Sequence, residues 1–526
     1  MPQICAAPYS EPRSVPHGTP SSAHSLSARP VAHRSSAHHP EVEPAVSAHL
    51  PPSAESLSNP ESRAAGILVR QHARESSART YARSFPIVPA RAEGMTVEGT
   101  DGRRYLDCLS GAGTLALGHN HPVVLEAVRR TLDSGAPLHV LDLATPEKDD
   151  FTDALFATLP PAFADRARIH FCGPAGTDAV EAALKLTQTA TGRRGLLAFT
   201  GAYHGMTAGA LAATGSVAVK EPVFAGSSAE VTRLPYPYTY RCPFGVGGER
   251  GAELSATYTE RLLDDPSGGV VRPAAMILEA VQGEGGAVPA PDGWLREMRR
   301  ITSEREIPLI VDEVQTGVGR TGAFWAVEHS GIVPDVMVMS KAIGGSLPLA
   351  VIVYDEEYDG WLPGAHTGTF RGNTLAMAAG AATLRYVARE GLAERAAIVG
   401  ARMTARLEGL RSRLPVIGDV RGRGLMIGVE LVDPEGPVDS CGAHPYAPEL
   451  AERVRSGCLD RGLIVELGGR FGATVRLLPP LVITDEQAEA VLDRLTDAIA
   501  EAQGLTDGQG LGLGLGLGLG RRGGRA

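Results

Sequence analysis

One lysine stands apart from the other charged residues of this chain. Lysine occurs only at positions 148, 185, 220 and 341, within a total of 50 Lys plus Arg. Lys148 sits in an expected charged turn, TPEKDD, Lys185 in the helical run DAVEAALK, and Lys220 before Glu-Pro in an expected loop. Lys341 alone follows a buried-looking apolar run, PDVMVMS, and precedes a glycine pair. Desolvation there disfavours the ammonium, lowers its pKa and makes the amine a nucleophile toward a carbonyl carbon. A strand-end lysine that merely snorkels to solvent is the simpler reading when the residue is taken alone. The neighbours reverse it. Asp312 ends the apolar run IPLIVDEV, where a buried carboxylate is costly unless a cation pairs with it. GPAGTDA leads into a helical pattern and offers backbone N–H groups and the Thr177 hydroxyl to a phosphate. No GxGxxG or GxxxxGK[ST] pattern competes for a nucleotide, and the glycines at 317, 319 and 322 follow an acid-ended strand that would repel a pyrophosphate.

These residues need a frame that brings them to one place. From about residue 165, short apolar runs alternate with helical ones: ARIHFCG, TDAVEAALKLTQTAT, GLLAFTG, AAMILEAV, DGWLREMRRITSERE, IPLIVDEV, PDVMVMS and LAVIVY. The alternation predicts an α/β fold with a largely parallel sheet covered on both faces, and such sheets bind ligands beyond the carboxyl ends of their strands. The strand ends there deliver GPAGTDA, AYHG, QGEGG, QTGVGRTG and Lys341. Before this region lie the helical stretch ESRAAGILVRQHARES, a hairpin around GMTVEGTDGRRYLDCLSG with Asp-Gly at its turn, and a helix opened by His-Pro in HPVVLEAVRRTLDSG. After about 375 come two long helices, short strands near GLMIGVEL and ATVRLLP, and a closing helix, which together read as a smaller α+β domain. The expected division is a disordered leader over 1–60, an N-terminal segment over 61–125 joining the small domain, a large domain over 126–375, the small domain over 376–503 and a Gly/Leu-rich tail over 504–526. The leader holds six of the fifteen histidines at irregular spacing, and the tail alternates Leu with Gly, so neither has the pattern of a packed element.

Composition narrows the partners. A net charge of -10 and scattered arginines leave no basic footprint for nucleic acid. No apolar stretch approaches the roughly 20 residues that span a bilayer, and the N-terminus lacks the apolar core of a signal peptide. The six cysteines form no CxxC pair and suggest neither a zinc site nor a disulfide framework, so a reducing cytoplasm is expected.

In their order and spacing, GPAGTDAVEAALK, GAYHG, EAVQGEGG, VDEVQTGVGRTG, SKAIGG, HTGTFRGN and RLLPPLVIT resemble the class III (omega) aminotransferases, fold type I enzymes dependent on pyridoxal 5'-phosphate. The resemblance spans roughly residues 70 to 500. Within that class, ESSARTYARSFPI, YLDCLSGAGTLALGHNHPVV and HTGTFRGNTLAMAAG are most similar to the diaminobutyrate:2-oxoglutarate aminotransferases. The resemblance implies that Lys341 attaches the cofactor and shuttles the substrate proton, Asp312 binds the pyridine nitrogen and Gln315 the phenolic oxygen. It puts Tyr203 and Val314 on the two ring faces, Gly176 and Thr177 on the phosphate, and Thr369 on the phosphate of a neighbouring subunit. His204 and Glu279 would support this group from behind. Arg476 would grip a substrate carboxylate, and Glu284 would pair with Arg476 when an amine occupies the pocket. A homodimer with composite sites, or a dimer of such dimers, is implied, with 2-oxoglutarate and a terminal amine as small-molecule partners. Ornithine, lysine or 4-aminobutyrate are alternative donors, and a semialdehyde aminomutase or a non-enzymatic role are rival readings. Two positions depart from the broad class pattern: Arg371 replaces a glycine before Gly372-Asn373, and Ala280 replaces a proline after Glu279.

Overall fold

Strands buried on both faces are built from continuous apolar runs, and four such runs, LIVD, VMVM, AMIL and LLAF, form the centre of the main sheet with every residue buried. The computed structural model describes residues 60–217 and 230–504. The expected leader with its histidines, the Gly/Leu tail and Lys220 lie outside the described residues.

The main sheet has seven strands in the order Ala167–Phe171, Val351–Asp355, Val336–Met339, Leu309–Asp312, Ala275–Leu278, Leu196–Phe199, Val231–Leu234. All neighbours pair in parallel except Val351–Asp355, which runs antiparallel to both of its partners. The exception has a simple cause. Between Val336–Met339 and Val351–Asp355 the chain has room only for the turn Lys341–Gly344 and a short return, less than the dozen or so residues a parallel crossover takes. The edge strand Val231–Leu234 is absent from the sequence-based expectation, because VTRL is short and only its last residue is buried. TPEKDD is not a turn: Thr145 caps a helix over Pro146–Phe156, its hydroxyl accepting from Lys148 N at 3.2 Å, so Lys148 lies in a first helical turn.

Two four-stranded sheets accompany the main one. Ile417–Arg423, Met426–Leu431, Thr474–Leu477 and Glu466–Gly468 form an antiparallel sheet that carries Arg476. Pro89–Glu93, Thr96–Gly99 and Arg104–Asp107 form a meander with the expected turn at Gly102, whose φ is 81°. The meander is completed by Leu463–Ile464, which pairs in parallel with Leu106 and Asp107. The helix Thr374–Arg389 is capped by Asn373, whose side chain accepts from Ala376 N at 2.9 Å. It packs against the turn that bears Lys341 so closely that a Cβ on Gly380 would lie 2.1 Å from Ile343 O. The five described cysteines are free. Among the described residues no helix is long and apolar enough to cross a membrane.

Candidate active site

The ends of the central strands and the turns that follow them converge on one cavity of about 300 Å³. Its lining includes Gly176, Thr177, Tyr203, His204, Glu279, Glu284, Asp312, Val314, Gln315 and Lys341, ten of the twelve residues singled out from the sequence. Arg476 reaches the same place through Glu284. Thr369 does not: it is exposed and lies outside the lining of its own chain's cavity.

Lys341 opens the turn Lys341–Gly344 directly after Val336–Met339 and has a φ of 50°, a left-handed conformation that costs a side-chain-bearing residue roughly 1–2 kcal/mol. Burial pushes its ammonium below the ordinary lysine value, although Glu284 and Asp312 pull the other way. Asp312 is 5% exposed at the end of its strand. Its Oδ1 accepts from Val314 N at 3.0 Å and its Oδ2 lies 2.8 Å from His204 Nδ1, so the protein itself supplies part of the partnering its burial demands. Burial works against a charge on His204, but the hydrogen bond and charge of Asp312 outweigh it and raise the imidazole's pKa. Behind them burial pushes the Glu279 carboxyl up to about 7, with His204 opposing; its oxygens accept from Tyr203 N at 3.0 Å and Gly283 N at 2.9 Å. Glu279 thereby fixes the backbone on which Tyr203 stands.

Gly176 and Thr177 begin the helix Gly176–Thr191, whose first N–H groups have no intrahelical acceptor. A side chain at 176 would crowd Val314, with its Cβ 3.0 Å from Val314 Cγ1, so glycine keeps this end of the cavity open. Thr207 Oγ1 donates to Glu181 at 2.6 Å, so the 2.6 Å contact between the Thr177 and Thr207 hydroxyls has Thr177 as the donor. Gln315 Nε2 donates to Ala112 O at 3.0 Å, while Gln315 Oε1 is buried without a hydrogen-bond partner.

The Arg476–Glu284 pair is present, with Nη2 at 2.8 and 2.9 Å from the two carboxylate oxygens. A fixed surface ion pair is excluded, since Arg476 is 1% exposed. Burial opposes charge on Glu284, yet Arg476 and Lys341 hold its carboxyl below the usual carboxylate range. Sequence reasoning missed two residues here. Glu466 Oε2 lies 2.6 Å from the same Nη2, and Tyr81 O–H donates to Glu466 Oε1 at 2.9 Å. A signal for Glu466 was present, because LIVELGG places an acid at the end of an apolar run just as IPLIVDEV does.

The two departures from the class pattern have structural settings. Arg371 donates to His366 O at 2.9 Å and pairs with Asp142, tying the loop around 366–372 to the segment around 142. Ala280 is buried and its carbonyl accepts from Ala290 N at 3.0 Å.

Residues 77–499 match the family described as Aminotransferase class-III. The chain belongs to the class III aminotransferases. It is 57% identical to the diaminobutyrate--2-oxoglutarate aminotransferase of Rhizobium meliloti (strain 1021) over 83% of its own length and 92% of that protein's. It is 48% identical to the enzyme of the same name from Haemophilus influenzae, over 83% of this chain and 95% of that one. Among solved structures it is similar to an amine transaminase from an uncultivated Pseudomonas species in a PLP-bound form, with 28% identity, a TM-score of 0.72, and coverage of 82% of this chain and 98% of that one. The cavity of this class III aminotransferase fits such a cofactor: a helix N-terminus for the phosphate, a buried carboxylate for the ring nitrogen, an apolar side chain and an aromatic one to flank a ring, and a desolvated lysine.

Proposed function

We propose that this chain is a pyridoxal 5'-phosphate-dependent aminotransferase that interconverts L-2,4-diaminobutyrate and 2-oxoglutarate with L-aspartate 4-semialdehyde and L-glutamate, moving the terminal amine. The observation that carries the reading is the buried Arg476–Glu284 pair beside a desolvated lysine. Its identity of 57% to a relative of that name supports the choice of donor. When bound, the cofactor supplies the electron sink that stabilises negative charge at the substrate carbon losing its proton. This chain's own residues do the rest. Asp312, positioned by His204 and Val314 N, would hold the ring nitrogen. Gly176 and Thr177 would hold the phosphate, Tyr203 and Val314 would flank the ring, Gln315 would face the phenolic oxygen, and Glu279 supports the Tyr203 backbone. Lys341 Nζ, whose charged form burial disfavours, takes and returns the substrate proton. Arg476 binds a carboxylate of the dicarboxylic partner, and Glu284 neutralises Arg476 when an amine-bearing end occupies the pocket.

The assembly is a homodimer with shared sites. Leu138, Leu141, Leu143, Leu362 and Phe370 are exposed, and the two segments that carry them meet through the His139–Phe370 ring contact and the Arg371–Asp142 pair. That apolar face adjoins Thr369, which is thereby free to serve a partner's phosphate. The proposed large domain, 126–375, carries the seven-stranded sheet; 376–503 forms the small domain with help from 61–125; and the location is cytoplasmic.

A panel of diaminobutyrate, ornithine, lysine and 4-aminobutyrate, each with and without 2-oxoglutarate, tests the reaction. Diaminobutyrate should give the highest kcat/KM and absolute dependence on 2-oxoglutarate; turnover without the oxo acid indicates an aminomutase, and preference for another donor overturns the substrate. Mixing Lys341→Ala chains with Thr369→Ala chains tests the assembly, since a mixed dimer contains one intact site; no recovery after proven chain exchange overturns the shared site.

A further inference from the structure

Arg476 Nη2 meets three carboxylate oxygens, two from Glu284 and one from Glu466. The two acids are held differently. Glu466 lies directly across from Arg476 in the antiparallel pairing of Glu466–Gly468 with Thr474–Leu477, so backbone hydrogen bonding keeps it there, and Tyr81 O–H holds its other oxygen. Glu284 stands between Gly283 and Gly285 and has the more exposed side chain, 33% against 11%. Arg476 Nε and Nη1 are buried without partners, so the guanidinium retains donors for an incoming carboxylate. Gly468 makes room for it, since a Cβ there would lie 2.5 Å from Nε.

Departure of Glu284 therefore does not leave a bare cation. A substrate carboxylate that takes its place on Arg476 shares the guanidinium with Glu466 as Glu284 did, but without the solvent that reaches the one-third-exposed Glu284 side chain, and two carboxylates so enclosed on one cation are strongly disfavoured unless one is neutralised. We propose that Glu466 is a specificity-determining residue: it stays on Arg476 in both half-reactions and takes up one proton from solvent when a dicarboxylate displaces Glu284. The inference rests on reading Arg476 as the carboxylate-binding residue. The charged and titratable groups facing Glu466 are Arg476, Glu284, Tyr81 and Lys341. Burial pushes the Glu466 carboxyl up and Glu284 pushes it the same way, against Arg476, Tyr81 and Lys341, whereas Glu284 itself is held down; of the two acids Glu466 is the one poised to accept a proton. Ionised, Glu466 keeps the pocket's charge suited to a substrate carrying a second ammonium, and protonated it leaves Arg476 to the dicarboxylate.

The sign of the pH dependence follows. The dicarboxylate-bound state holds one more proton than the free state, so dicarboxylate affinity is highest at low pH and falls by at most about tenfold per pH unit once Glu466 is ionised in the free enzyme. Glutarate, which has both carboxylates and no carbonyl, is the probe. Its binding to the holoenzyme is measured by calorimetry between pH 6 and 9 in pairs of buffers with different ionisation enthalpies. The wild type should take up about one proton per glutarate at pH 8. Glu466→Gln should take up none, bind glutarate about tenfold or more tightly at that pH with a flat profile, and raise the KM for diaminobutyrate more than it lowers kcat. Tyr81→Phe, which removes a hydrogen bond favouring the carboxylate, should keep the uptake and move the midpoint to higher pH; this variant and the wild-type series decide the matter if Glu466→Gln does not fold. Glutarate binding without proton uptake in the wild type, or equal uptake in Glu466→Gln, overturns this inference alone. Absence of glutarate binding overturns it together with the reading of Arg476, and a failed diaminobutyrate assay overturns only the choice of donor.

Discussion

Gly380→Ala sets two well-characterised effects against each other at the turn that carries Lys341. In an ordinary helix interior, alanine in place of glycine stabilises by about 0.8–1 kcal/mol. Here the added Cβ would stand 2.1 Å from Ile343 O and 2.9 Å from Phe151 Cε2. A carbon and an oxygen settle more than 3 Å apart, so the helix and the turn must separate by roughly 1 Å. The atom in the way is a backbone carbonyl of the turn Lys341–Gly344, which cannot rotate aside as a side chain would. Overpacking of this kind costs about 1–3 kcal/mol, so it exceeds or cancels the helical gain. Displacement of the reacting group by about 1 Å lowers kcat by about 10²-fold. The control is Gly293→Ala in the helix Asp292–Glu304, where the nearest atom to the new Cβ is a flexible arginine tip at 4.0 Å. That variant should be as active as wild type and equally or more stable. Steady-state kcat, with resistance to denaturant followed by cofactor absorbance, reads both. Wild-type kcat together with increased stability in Gly380→Ala would refute the claim that this close approach positions the lysine.

Lys341→Ala should abolish turnover while still binding pyridoxal phosphate, and borohydride reduction of the wild type should fix the cofactor on Lys341; mass spectrometry placing it on Lys148, Lys185 or Lys220 would sink that role. Arg476→Ala should raise the KM for 2-oxoglutarate and glutamate by about 10- to 100-fold, the loss of about 1.5–3 kcal/mol for a charged hydrogen-bonded contact, with a smaller effect on diaminobutyrate. Glu284→Ala should do the reverse, and single-turnover absorbance of the two half-reactions would expose equal losses, which would make the pair purely structural. Burial pushes the Glu313 carboxyl to about 7 from an ordinary 4.5, so the folded chain keeps a proton that the unfolded chain releases. Its contribution to stability is full below pH 4.5 and lost as pH rises through 7, and Glu313→Gln should flatten the pH dependence of the denaturation midpoint across that window. An unchanged slope would refute it.

Most of the cavity was legible because its residues stand at the ends of strands that betray themselves as apolar runs. Lys341 and Asp312 gain their meaning from adjacency to VMVM and LIVD, and adjacency in sequence is what a reader of sequence sees. Other features are set by approach between distant segments. The Arg476 environment depends on Tyr81 and Glu466, 385 residues apart at their hydrogen bond, and no local pattern announces that meeting. Gly380 looks like an interruption in an alanine-rich helix until Ile343 O is placed beside it. Val231–Leu234 was missed because a short edge strand has little to bury, and the helix at 146–156 because its acidic first turn, favourable to the helix dipole, resembles a charged loop. The reversed direction of Val351–Asp355 was readable from the shortness of its connection, but LAVIVY alone carries no direction.

The parallel pairing of Leu463–Ile464 with Leu106 and Asp107 governs when this protein can be finished. The meander at 89–107 is made early in synthesis and waits, with one edge open, for a strand some 357 residues further along the chain. At about 5–20 residues per second a ribosome needs on the order of 20–70 s to supply it. Until then the exposed edge is a template for the same edge on a neighbouring nascent chain. Glu284, too, emerges well before Arg476. A chain stopped ahead of residue 463 therefore lacks more than a terminal helix: it leaves an unpaired sheet edge and a carboxylate meant for burial without its cation. C-terminal truncations should consequently accumulate as aggregates rather than as a smaller soluble enzyme.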